Sequence, residues 1–208
     1  MTRKLPYNYL SNFFFLLIAF LNLPVNTYSQ LLAKSNLDTC LKFQSIQEAL
    51  QSPDEVFVLD LSKNKLKAFH KEILKFKNLQ KLILFKNKID SIPANIKSLK
   101  NLQYLNLGKN KLETFPKGIT ELNNLNTLIL NQNNISSIPD NIDGLYNLEY
   151  LDMWSNNIGY ISDNIKFLTK LNELDLRVII FSNDEKERIR FLLPGTEVYF
   201  SNSCNCGY

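Results

Sequence analysis

Three cysteines and a single histidine are the side chains of this chain best suited to metal binding or nucleophilic chemistry. A metal site would need four soft ligands, and His70 lies far from the pair Cys204 and Cys206. A hydrolytic site would need a nucleophile and an orienting carboxylate near His70, and the spacing of the sequence brings neither to it. We therefore predict that the chain holds no metal, uses no cofactor and is not an enzyme.

A repeat of 23 residues fills the middle of the sequence. Counted from position 0, apolar residues occupy positions 3, 5, 10, 13, 17 and 20 of the first five units, and position 8 of these units is asparagine. The residues at position 0 are Val56, Leu79, Leu102, Leu125, Leu148 and Leu171. The asparagines at position 8 are Asn64, Asn87, Asn110, Asn133 and Asn156.

This spacing predicts a short strand in each unit. Side chains of a strand alternate between two faces, so Leu105 and Leu107 share the core face while Asn106 lies on the other. The asparagine at position 8 then ends the strand, and its amide can bind backbone groups that would otherwise be buried unpaired. We therefore expect the five asparagines to stack as a ladder along the repeats.

The consensus L-x-x-L-x-L-x-x-N-x-I-x-x-I-P-x-x-I-x-x-L-x-N resembles the leucine-rich-repeat family from about Val56 to Ile179. Proline fills position 14 in three units, while His70 and Ser162 replace it in the first and fifth. The resemblance implies an α/β right-handed solenoid. It would have a curved parallel sheet on its concave face, an irregular or short helical convex side, and caps at both ends. Among members of this family, we expect bacterial adhesins and effectors to be the most similar proteins.

The first 29 residues read as a signal peptide. Arg3 and Lys4 precede an apolar run from Phe13 to Leu21, which is too short to span a membrane. Small side chains place the predicted cleavage near Ser29, and an uncleaved anchor is the alternative. We expect a chain that is secreted or held in the cell envelope, with no membrane insertion after cleavage.

The remaining domain boundaries follow from the ends of the repeat. Residues 30–55 are predicted to form an N-terminal helical cap, because Ser45 and Glu48 have capping-box spacing. Six repeats should occupy residues 56–180. Residues 181–208 should form a C-terminal cap of a helix and a strand, followed by a tail. The helix is expected to begin at Ser182 and the strand to span residues 196–200.

The cysteines lie on opposite sides of the repeats. Six strands at about 4.8 Å each would separate Cys40 from Cys204 and Cys206 by about 24 Å. A disulfide needs Cα atoms within about 7 Å. We therefore predict free or variably oxidised thiols, with a strained bond between the two tail cysteines as the alternative.

Positions 2, 4, 6 and 7 form the solvent face of the sheet. Core packing does not dictate the residue type there, so residues that bind a partner are expected at these positions. Four aromatic residues fall there, and exposed aromatic rings are typical anchors of interfaces. The predicted anchors are Phe85, Tyr104, Tyr150 and Trp154. Packing between neighbouring strands is the alternative explanation for some of them.

The same face carries a predicted charge gradient. Its basic end includes Lys63, Lys86 and Lys109, and its acidic end includes Asp152 and Asp175. Such a field would orient a partner of opposite polarity. The net charge falls from +4 to about +2 once the two basic residues of the leader are removed, which argues against nucleic acid as a partner.

These observations favour a non-catalytic, monomeric interaction module that binds a protein or a glycan on the concave face. One alternative is a structural component of a surface assembly, bridged through the tail cysteines. The other is the substrate-recognition part of an effector resembling the leucine-rich-repeat ubiquitin ligases. The chain has no room for their catalytic domain, since only about thirty residues follow the last repeat.

Overall fold

The computed structural model describes residues 31–201 of the chain. The predicted signal peptide and the tail cysteines Cys204 and Cys206 lie outside these residues. Among the helices of residues 31–201, none has the length and apolar character needed to span a membrane.

Strands at regular spacing make up most of the secondary structure. Within residues 31–201 they are, in chain order, β1 (Lys42–Phe43), β2 (Val58–Asp60), β3 (Lys81–Ile83), β4 (Tyr104–Asn106), β5 (Thr127–Ile129), β6 (Ser137–Ile138), β7 (Tyr150–Asp152), β8 (Tyr160–Ile161), β9 (Glu173–Leu176) and β10 (Glu197–Phe200). Eight of them form one parallel sheet in the order β1-β2-β3-β4-β5-β7-β9-β10. Strands β6 and β8 pair separately, in the return segments.

The register of the sheet follows the repeat. Leu105 of β4 pairs with Leu82 on one side and with Leu128 on the other, each 23 residues away. Equivalent positions therefore lie side by side, and each apolar position forms a continuous row through the core. The rows at positions 0, 3 and 5 are buried throughout, as are those at positions 17 and 20. The parallel-sheet solenoid predicted from the sequence is confirmed.

Short 3-10 helices form the return side of the solenoid. They span Lys71–Lys75, Ala94–Ser98, Lys117–Glu121, Asp140–Leu145 and Asp163–Phe167. The residue before each helix is extended, with φ between −62° and −82°. Proline is restricted to φ near −65°, which suits this position. His70 and Ser162 adopt the same conformation, so the two missing prolines leave the return unchanged.

Among residues 31–201, three α-helices lie outside the repeats: α1 (Lys34–Leu37), α2 (Ile46–Ala49) and α3 (Asn183–Leu192). The Ser45 hydroxyl accepts from the Glu48 N–H at 3.1 Å, and the Ser182 hydroxyl accepts from the Glu185 N–H at 3.2 Å. Both predicted helix starts thus carry a side-chain cap.

The N-terminal region is more than a helical cap. Strand β1 lies within it and pairs in parallel with β2, which extends the sheet by one strand beyond the first repeat. At the opposite end, β10 pairs in parallel with β9 over four residues. Strands from outside the repeats therefore flank both ends of the six repeat strands.

The asparagines at position 8 bind backbone groups of two adjoining repeats. The Asn133 amide donates to the Leu107 and Leu130 carbonyls at 3.0 and 2.9 Å, and its oxygen accepts from the Leu112 N–H at 3.0 Å. Equivalent bonds are made by Asn87, Asn110 and Asn156. Asn64 does not take part and is exposed, because no earlier repeat supplies the carbonyl and the N–H that the others bind.

Candidate functional site

Positions 2, 4 and 6 of each repeat lie on the sheet face opposite the core, which we call the concave face. Position 7 follows the strand, and its backbone is left-handed in all six repeats, with φ from 51° to 60°. The N–H of Lys63, for example, still donates to the Phe85 carbonyl of the next repeat at 2.9 Å. The turn therefore repeats without breaking the hydrogen bonding between repeats. It places three exposed lysines in line as the lysine row, Lys63, Lys86 and Lys109.

The two predicted anchors nearer the N-terminus are half-buried and partly covered. The Lys81 ammonium lies 4.9 Å from the centroid of the Tyr104 ring and 2.7 Å from the Asp38 carboxylate. The Lys109 ammonium lies 5.6 Å from the centroid of the Phe85 ring. Lysines of the same surface therefore occupy space over one side of each ring. Phe85 and Tyr104 present less open aromatic surface than the sequence predicts.

The two anchors nearer the C-terminus meet in a pocket. Tyr150 and Trp154 are half-buried and lie in its wall, and its volume is about 490 Å³. We call it the C-terminal pocket, and its lining is Asn131, Tyr150, Asp152, Trp154, Asp175, Arg177, Val178 and Ser201. Four predicted site residues are thus brought together here. Phe85, Tyr104 and the lysine row are absent from its lining.

The acidic residues of this pocket are not solvent-facing charges as the sequence suggested. Asp152 and Asp175 are only 7% and 5% exposed. Each accepts a bond from the backbone N–H two residues later, that of Trp154 or Arg177, at 3.0 Å. This bond draws the carboxylate back onto its own turn, beneath the side chain at position 6. The predicted charge gradient is correspondingly weaker at its acidic end.

The two carboxylates are compensated differently. The Arg177 guanidinium binds Asp175 through two nitrogens, at 2.5 and 3.0 Å, and lies 5.7 Å from the centroid of the Tyr199 ring. Asp152 instead accepts from the Asn131 amide at 2.5 Å and from the Trp154 N–H. Burial raises the pKa of Asp152 above its ordinary value, against the lowering effect of these two hydrogen bonds.

Several residues of the pocket were not among the predicted anchors. Asn131 and Arg177 occupy position 6, the same position as Phe85 and Trp154, so the repeat alignment could have included them. Val178 at position 7 and Ser201 after β10 are joined by a hydrogen bond from the Val178 N–H to the Ser201 hydroxyl. No sequence signal indicates Ser201, since its place depends on β10 pairing with β9.

The residues considered for metal or nucleophilic chemistry are dispersed. His70 lies on the return side, where its Nδ1 is 2.6 Å from the Glu72 carboxylate. Cys40 is partly exposed, and its thiol donates to the Asn36 carbonyl at 3.3 Å. Across residues 31–201, no group of three or more histidine, cysteine, aspartate or glutamate side chains is arranged to hold a metal ion.

Solved structures of repeat proteins resemble this fold. A leucine-rich-repeat protein of Leptospira interrogans is 30% identical with a TM-score of 0.62, and the match covers 77% of this chain and 46% of that one. The internalin InlF of Listeria monocytogenes is 25% identical with a TM-score of 0.63, covering 72% of this chain and 42% of that one.

A plant protein shares the fold at lower identity. The leucine-rich-repeat ectodomain of the Arabidopsis thaliana receptor kinase GASSHO1/SCHENGEN3, solved in complex with Casparian strip integrity factor 2, is 22% identical with a TM-score of 0.60. That match covers 77% of this chain and 20% of the receptor. This chain spans less than half the length of each of the three structures. No curated protein matches the sequence.

The sequence profile of the family described as a leucine-rich repeat region matches residues 40–193, which is most of the chain. The match begins in the N-terminal cap and ends just after α3, so it includes all six repeats. With the parallel sheet, the asparagine bonds and the structural likenesses, it shows that this chain belongs to the leucine-rich-repeat family.

Proposed function

We propose that this chain is a non-catalytic recognition module that binds a protein or glycan partner on its concave face. Leucine-rich-repeat folds are generally protein-interaction modules, because a stack of repeats offers a long, regular surface of freely variable side chains. The observation that carries the proposal is the C-terminal pocket, where Tyr150 and Trp154 lie half-exposed beside buried polar groups. Such pockets suit the anchoring side chains of an interface.

The rest of the concave face has a supporting part in this proposal. The lysine row lies exposed along one side, where it would steer an approaching partner and fix its orientation. Phe85 and Tyr104 would contribute once a partner displaces the lysines over them. Asp175 would act indirectly, by holding Arg177 in place at the pocket wall.

Export is part of the same proposal and depends on the first 29 residues. Arg3 and Lys4 followed by the apolar run from Phe13 to Leu21 favour a signal peptide cleaved near Ser29. The module would then act in the cell envelope or outside the cell, as a monomer.

The test is capture of a partner from the native medium by the chain and by two variants. Trp154→Ala removes the largest ring of the pocket and should weaken capture at least about tenfold, the cost of losing an aromatic anchor. Phe167→Ala is the matched control, because Phe167 is a half-exposed aromatic residue on the return side. Equal loss in both variants, or no loss in either, contradicts the proposed site.

A further inference from the structure

The carboxylates at position 4 of three repeats occupy equivalent places in the fold, so their surroundings can be compared directly. Aspartate occurs there in the first, fifth and sixth units, as Asp60, Asp152 and Asp175. All three accept the N–H two residues later, at 3.0 Å. Asp60 is also paired with the Lys42 ammonium at 3.4 Å, and Asp175 with the Arg177 guanidinium at 2.5 Å. The structure therefore supplies a cation to two of the three.

Asp152 differs from the other two in its partners. Its second oxygen accepts from the neutral Asn131 amide, and no lysine or arginine of residues 31–201 forms an ion pair with it. The nearest candidate is Arg177, which is held by Asp175 and lies over the Tyr199 ring. A carboxylate buried to this extent is costly unless a cation accompanies it. Asp152 thus faces the C-terminal pocket without an ion-pair partner of its own, and Arg177 acts on it only through space.

The walls of the pocket suit a cation as well. Tyr150 and Trp154 present aromatic rings, and the negative face of a ring attracts ammonium and guanidinium groups. Glu173 pairs in register with Tyr150 on the neighbouring strand and is exposed. The pocket lining therefore holds two carboxylates, Asp152 and Asp175, against the single guanidinium of Arg177, and Glu173 lies beside Tyr150 outside the lining. The lining is therefore acidic on balance and partly aromatic.

We propose that the C-terminal pocket receives a basic side chain, arginine or lysine, of a protein partner, with Asp152 as its counter-ion and Trp154 and Tyr150 as its aromatic walls. This inference rests on the proposed function of the concave face and names the chemistry that the face selects. Charge complementarity favours a basic protein segment over a neutral glycan, because a sugar hydroxyl would leave the Asp152 charge unpaired.

The pocket contains its own reporter. Trp154 is the only tryptophan of the chain, so intrinsic tryptophan emission reports on this pocket alone. The full chain would be titrated with a short blocked peptide of alternating glycine and arginine, and with the same peptide carrying citrulline, which has the shape of arginine without its charge. We expect the arginine peptide to shift the emission and to bind at least about tenfold more tightly than the citrulline peptide, as for a charged hydrogen bond.

Two matched variants separate the pocket from general charge attraction. Asp152→Asn keeps the acceptor for the Trp154 N–H and loses the charge, and Asn106 makes the same bond to Gly108 at the equivalent position. This variant should fold and lose the preference for arginine. Asp60→Asn removes a charge at the same position of the first repeat and should leave the preference unchanged. Unfolding curves for each variant verify folding.

Equal affinity for the two peptides overturns the inference, as does an arginine preference that survives in Asp152→Asn or disappears equally in Asp60→Asn. An emission shift with a neutral oligosaccharide and none with the arginine peptide also overturns it, in favour of a glycan. Failure of this inference can be told apart from failure of the proposed concave-face function. If Trp154→Ala abolishes capture of the natural partner but arginine is not preferred, the concave-face function stands and only the ligand class is wrong.

Discussion

Asn133 shows how one side chain joins two repeats. Its amide and oxygen bind backbone groups from both sides of the interface between the third and fourth repeats, Leu107 and Leu112 on one side and Leu130 on the other. The buried Leu112 N–H depends on Asn133 for its acceptor, whereas the Leu107 and Leu130 carbonyls also accept from Asn110 and Asn156. Side-chain size at this position therefore matters less than having both a donor and an acceptor.

Replacement of Asn133 by alanine should consequently be costly. Leaving the buried Leu112 N–H without an acceptor costs about 1–3 kcal/mol, and the Leu107 and Leu130 carbonyls each lose one of two donors, so the free energy of unfolding should fall by about 2–3 kcal/mol. Asn64→Ala at the same position of the first repeat should change it by less than about 0.5 kcal/mol, because Asn64 is exposed. Urea unfolding followed by circular dichroism measures both. Similar midpoints for the two variants would contradict the role assigned to the buried asparagines.

The 3-10 helices of the return segments are constrained by how closely they pack on one another. Successive 3-10 helices pack directly on one another, and Gly118 lies at one of these contacts. A Cβ atom at Gly118 would lie 2.4 Å from the backbone oxygen of Ala94 in the preceding repeat. Backbone cannot move aside as a flexible side chain can, so the spacing of these two helices depends on the missing side chain. Gly159, in contrast, has open space around the equivalent atom.

Gly118→Ala should therefore separate the two return helices and destabilise the fold by about 1–3 kcal/mol, as other overpacked sites do. Gly159→Ala adds the same methyl group where nothing lies within 4 Å, and it should leave the stability unchanged or raise it slightly. Thermal unfolding of the two variants in parallel distinguishes them. An unchanged midpoint for Gly118→Ala would show that the returns are not close-packed there.

At the scale of the whole molecule, the 23-residue period makes the solenoid modular. Each repeat contacts chiefly its neighbours, so stability is close to a sum over repeats and their interfaces. The residues that line the C-terminal pocket all follow residue 130 and lie in the fourth to sixth repeats and the C-terminal cap. The pocket is thus separate from the first three repeats, although it shares one sheet with them.

Deleting residues 102–124 should leave a shorter folded solenoid. The deletion removes one whole repeat and joins Asn101 to Leu125, which regenerates the Asn-Leu junction found between other repeats. We expect cooperative unfolding at a lower urea midpoint with a smaller m-value, since less surface is exposed on unfolding. The emission of Trp154 should be retained. Deleting residues 102–118 shifts the register and should abolish the cooperative transition, and survival of that transition would argue against strict dependence on the period.

How much the sequence predicts depends on whether a feature repeats. The period identifies the core rows, the strand positions, the short helical returns and the family, because any rule that acts every 23 residues is visible along the chain. The capping serines of α2 and α3 are local signals of the same kind. The period predicts a ladder of all five asparagines but does not show that Asn64, in the first unit, lacks a preceding neighbour.

Alternation in a strand is a property of the backbone, so the repeat pattern is enough to tell which side chains point away from the core. How exposed those side chains are depends on contacts made in the folded chain. Lys81 and Lys109 are long enough to lie over Tyr104 and Phe85, and the turn at position 4 buries Asp152 and Asp175. Strand β10 brings Ser201 to the pocket from outside the repeats. These contacts depend on side-chain rotamers and on one non-repeating strand, neither of which a periodic pattern encodes.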